Sequence, residues 1–147
     1  MSHYAILLTV HLFAAIMFVG TVFFEVLMLE GIRKRVPHDV MKTMEKAIGN
    51  RARKIMPWVL LALYLAGVGM AITHANILKH PFSSSFGFML SIKIILAISV
   101  FIHFITAMTL HHKRKMRSIH FKAIHISVFC HVILIVFLAK AMFYMHL

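Results

Sequence analysis

The sequence predicts an all-α integral membrane protein: one domain over 1–147, a bundle of four transmembrane helices with both termini outside, on the periplasmic side. Three observations predict it. The chain is 61% hydrophobic with a mean hydropathy of +0.89, whereas a water-soluble domain of this length is close to half apolar. Its apolar residues gather into four runs, each longer than the ~20 residues that span a bilayer. And 13 of its 16 Lys and Arg fall in two loops that four spans would place on one side, the cytoplasmic one by the positive-inside rule.

The first span covers about 4–30. It lacks a basic start and is too long for a signal-peptide core, so it is expected to stay in the membrane. Gly31 to Lys54 follows with eight Lys/Arg. Within it Val40, Met44 and Ile48 recur every fourth residue, Asp39 can cap and Gly49 can stop. The expectation is a short interfacial helix, or an extension of the second span. The second span covers about 56–78, and the short outer loop from Lys79 to Phe86 joins it to the third, about 87–111. A second basic loop, His112 to Lys122, leads to the fourth, about 123–145. No internal repeat or low-complexity segment stands out. Cys130, the sole cysteine, cannot form an internal disulfide and reads as a small buried hydrophobe. The net charge of +12 is accounted for by a basic face on anionic lipid and needs no nucleic acid. The partner it implies is the lipid bilayer of a bacterial inner membrane.

Histidine carries the functional signal. There are twelve, and His11, His74, His103, His125 and His131 lie inside the predicted spans. One such residue is ordinarily a hydrogen-bonder between helices. Five intramembrane ionisable groups point instead to a bundle interior or a pathway. At 1.5 Å per residue, His11, His74 and Lys93 lie roughly 10, 6 and 9 Å from the outer ends of their spans. His103 and His131 lie deeper, roughly 24 and 21 Å, and Glu25 and His125 roughly 31 and 30 Å. Imidazoles from different helices at matched depth suit bis-His ligation of haem iron. The expectation is haem b held by His11 and His74, with Lys93 or His80 toward the propionates. Gly67, with Gly69, Ala71, Ala14, Ala15 and Gly20, would leave room for the porphyrin. His103 and His131 would hold a second haem. Glu25 could relay protons or merely pair with loop arginines, and His111, His112 and His120 read as solvated. Such a cytochrome would exchange electrons with a quinone or a redox protein, alone or as a homo-oligomer.

Copper is the alternative. Twelve Met and many His supply ligands that suit it, and Met70–His74 and Met142–His146 each stand four apart on one helix face. A structural subunit without cofactor is the third reading. No phosphate loop, nucleophile elbow or carboxylate pair is present, so no catalytic residue is assigned, and any acid–base chemistry would fall on histidine.

The stretch "HLFAAIMFVGTVFF", with His11 and Gly20, and "FGFMLSIKIILAISVFIHF", with Gly87, Lys93 and His103, resemble the CopD-like family of bacterial membrane proteins and, more distantly, the HemJ-type protoporphyrinogen oxidases. The layout is also similar to that of four-helix dihaem membrane cytochromes b. The resemblance implies copper handling if CopD-like, or haem b if HemJ-like, with His11 and Lys93 as the positions carried over. The basic, proline-containing stretch ending in His that follows the first-helix glycine in HemJ proteins is replaced here by "TVFFEVLMLE".

Overall fold

The computed structural model describes residues 2–115 and 118–144. Among these the chain is helical with no strand. Four helices are long and apolar enough to cross a membrane: His3–Ile32, His38–Thr73, Ser85–His112 and His120–Tyr144. The chain is thus an all-helical, multi-pass membrane protein, and its surface agrees. Phe13, Leu65, Ile72, Ile95 and Phe137 are each more than 60% exposed. No charged or polar side chain is fully buried among the described residues. Apolar surface of that extent is stable only against lipid.

The contacts gather into two units, one ending at His74 and the other beginning at Ala75. In the first, α1 (His3–Phe23) is capped by Ser2, whose hydroxyl accepts from the Ala5 N–H. It continues without a break into a π-helical segment, Phe24–Leu29, and then the short α2, Glu30–Ile32. Glu25 lies in that π segment, and its carbonyl accepts from Glu30 N–H, five residues on. A tight turn leads to α3, His38–Thr73. Of the two expectations for the basic loop, the extension of the second span holds. Gly49 does not stop the helix, because it keeps helical backbone and the Arg53 side chain lies over it. Pro37, not Asp39, stands at the N-cap. Arg33 pairs with Glu30 at 2.8 Å and Glu45 at 2.7 Å, tying the turn to α3.

α1 and α3 pack antiparallel. Leu7 lies against Gly69, His11 against Leu63 and Gly67, and Tyr4 beside His74. The second span closes earlier than its apolar run: α3 stops at Thr73, with His74 as its C-cap at φ −108°, ψ 17°. The apolar residues beyond it form the separate helix α4, Ala75–Lys79.

In the second unit α4 and a 3-10 turn, Pro81–Ser83, lie against the start of α5, Ser85–His112. Ser84 caps α5 by accepting from Gly87 N–H at 3.1 Å. Gly87 is needed there. A Cβ would meet Ile77 at 3.0 Å and the Pro81 carbonyl oxygen at 3.2 Å. α5 ends in a turn in which Arg114 takes a left-handed conformation, φ 53°. α6, Ser118–Tyr144, begins five residues before the predicted span and runs antiparallel to α5. Phe86 near the start of α5 meets Phe143 near the end of α6, and Val100 and Val128 in their middles are both buried. The expected Met142–His146 pair involves His146, which lies outside the described residues.

Candidate functional site

The five intramembrane histidines share one local arrangement. In four of them the imidazole Nδ1 lies against the carbonyl four residues earlier on the same helix. These are His74 on Met70 at 3.1 Å, His103 on Ser99 at 2.7 Å, His125 on Phe121 at 2.8 Å and His131 on Ser127 at 2.7 Å. His11 does the same across helices, 2.9 Å from the Leu63 carbonyl. A carbonyl can only accept, so each Nδ1 carries a hydrogen and donates it. In the neutral ring this leaves Nε2 as the lone-pair nitrogen. Metal-binding imidazoles are held in the same way, with the other ring N–H given to an outer acceptor.

The structure seats His11 and His74 at different levels of α3. His11 faces the stretch of α3 at Leu63 and Gly67, and His74 lies seven residues beyond Gly67, roughly 10 Å along the axis. The room expected beside Gly67 is taken by His11 itself. A Cβ at Gly67 would lie 3.2 Å from the His11 Cε1. One at Gly69 would lie 2.9 Å from a Leu7 methyl. The glycines thus seat side chains of α1. His74 gives its Nδ1 to the main chain of Met70 and to Thr73 Oγ1, 3.0 Å away, and its ring stands 6.1 Å from that of Tyr4. Lys93 is half-buried, two turns in from the start of α5. His125 stacks on Phe121 with ring centroids 4.0 Å apart.

The deeper pair is assembled. His103 on α5 and His131 on α6 lie with ring centroids 5.4 Å apart, their planes 54° from parallel. Ser127 Oγ donates to His103 Nε2 at 3.0 Å, and Ser99 Oγ donates to His131 Nε2 at 3.1 Å. The four side chains make a reciprocal clasp. Each helix contributes one serine and one histidine, and each histidine takes its hydroxyl from the other helix. Both halves come from one local pattern. Residues 98–105 read ISVFIHFI and residues 126–133 read ISVFCHVI, identical at six of eight positions. Serine and histidine four apart share a helix face, and antiparallel packing sets each serine opposite the other helix's histidine. This repeat corrects the reading of the chain as free of repeats. It was visible in the sequence once the two histidines were aligned.

No protein-family model matches the chain, and no curated protein or solved structure matches it either. The likeness to CopD-like and HemJ-type proteins therefore rests on the residues that carry it.

The clasp decides what could bind there. A haem held by two histidines needs its plane between them, with each Nε2 aimed at the iron. Here each Nε2 meets a serine, and two hydrogen bonds directly join the helices. As arranged, the pair does not fit a porphyrin between the rings, so the expected second haem at His103 and His131 is not supported. A single small ion would need less room than a porphyrin, but it too would have to take each Nε2 from its serine. In both rings the Nδ1 hydrogen is given to a carbonyl, which leaves Nε2 as the lone-pair nitrogen. Among the described residues no group of three or more His, Cys, Asp or Glu is assembled. Two imidazoles alone are too few for a tetrahedral Zn²⁺ site.

Proposed function

We propose that this chain is a copper-handling protein of the bacterial inner membrane, binding Cu(I) within the bilayer between His103 and His131. The observation that carries the reading is the pairing of two imidazoles, each with Nδ1 anchored on a carbonyl and Nε2 turned toward the neighbouring helix. The resemblance to CopD-like proteins agrees with it. The directly hydrogen-bonded helices favour an ion over a porphyrin. Both termini and the Lys79–Phe86 loop face outward in this reading, with the basic loops on the cytoplasmic side.

A second reading, a haem b redox protein exchanging electrons with a quinone, is favoured by one observation. His11 is held across helices with its tautomer fixed by Leu63, as an axial ligand would be. Metal analysis and an absorption spectrum of detergent-purified protein separate the two. Copper near one per chain without a Soret band supports the first. Haem near one per chain, with an α-band on reduction, reverses the ranking. Neither metal nor haem overturns both and leaves the clasp as interhelical glue.

A further inference from the structure

Ser99 and Ser127 behave unlike four other hydroxyl residues of the spanning helices. Thr9, Thr21, Ser91 and Thr106 each donate to the carbonyl four residues earlier, at 2.8 Å in every case. That is the ordinary resting place of a hydroxyl in a spanning helix, where no water competes. Ser99 and Ser127 instead reach across to the other helix and cover the two Nε2 lone pairs. A lone pair can serve a hydroxyl or a metal ion, not both. Serine oxygen is a hard donor and Cu(I) a soft acceptor, so the hydroxyls would leave on binding and would not join the ligand set. They have somewhere to go. Each can turn back to its own helix, Ser99 to the Ile95 carbonyl and Ser127 to that of Ala123, leaving no orphaned polar group.

We propose that Ser99 and Ser127 form a displaceable cap on the His103–His131 site, holding both Nε2 atoms in the metal-free protein and setting the affinity by competing with the ion. This rests on the copper reading and adds a regulatory role for two residues that a metal-ligand search passes over. The cap keeps the imidazoles satisfied in lipid when empty and makes binding reversible, as transfer of an ion requires.

The test is competition for Cu(I) against a chelator of known affinity, done anaerobically on the full-length protein in detergent. Removing one net hydrogen bond is worth about fivefold. Ser99→Ala and Ser127→Ala are each expected to bind Cu(I) about fivefold tighter, and the double variant roughly thirty-fold tighter. Ser99→Thr, which keeps a hydroxyl, is expected to stay near wild type. A purely structural clasp predicts lower melting temperatures with unchanged affinity. That result, or weaker binding in the alanine variants while His103→Ala and His131→Ala lose copper, overturns the cap and leaves the site standing. Full Cu(I) binding in both histidine variants overturns the site and the cap together. The single serine variants decide the matter if the double variant does not fold.

Discussion

A histidine inside a membrane must place two ring nitrogens, and at His11, His74, His103, His125 and His131 the backbone takes one of them. The side-chain register then decides what the other nitrogen meets. His103 and His131 were legible in the sequence, through the excess of histidine and the matched depth of these two. Their serines were not, because a serine in a spanning helix ordinarily bonds its own backbone, and nothing in a single helix distinguishes one that reaches across. The offset in level between His11 and His74 has another origin. The apolar run continues past Thr73 through "ANIL", so hydropathy extends the span while the helix itself breaks at His74. At Gly67 the seat for the His11 ring is testable. Gly67→Val is expected to destabilise the protein by about 1–3 kcal/mol through overpacking. His11→Ala should recover part of that loss in a double-mutant cycle of melting temperatures, whereas additive losses would show that the two do not touch.

Helix type and rough extent followed from the four apolar runs, and all four long helices are present. Ends were less legible, since they are set by caps and not by hydropathy. Asp39 and Gly49 resemble a cap and a stop, yet Pro37 is the N-cap and the helix runs through Gly49. Nothing there needs a positive φ, and Arg53 covers the glycine. At α5 the cap is Ser84, whose hydroxyl accepts from Gly87 N–H. Ser84→Ala is expected to cost about 1 kcal/mol, read as a lower melting temperature and faster hydrogen exchange in the first turn of α5. Gly87→Ala should cost more than the loss of the cap, because its methyl would meet the Pro81 carbonyl and Ile77. An equal or smaller effect would show that this turn yields.

For the molecule as a whole, composition and charge fixed the class. Four helices long and apolar enough to span a bilayer make it a membrane protein, and the proposed orientation rests on its basic loops. In a Cys130→Ser background, Ser83→Cys is expected to react with an impermeant maleimide added to intact cells, and Lys115→Cys only after lysis. The reverse pattern would invert the topology. Function was less legible because it depends on which histidines meet, and that follows from helix register. Register is carried here by the repeated ISVF-x-H-x-I pattern and by small residues such as Gly67. The central claim is that the spanning pair His103 and His131, in ring contact, is a copper site. Anaerobic Cu(I) titration of the purified protein tests it most directly. One tight site per chain, lost in His103→Ala and in His131→Ala, is the predicted result; copper binding unchanged in both variants would contradict it.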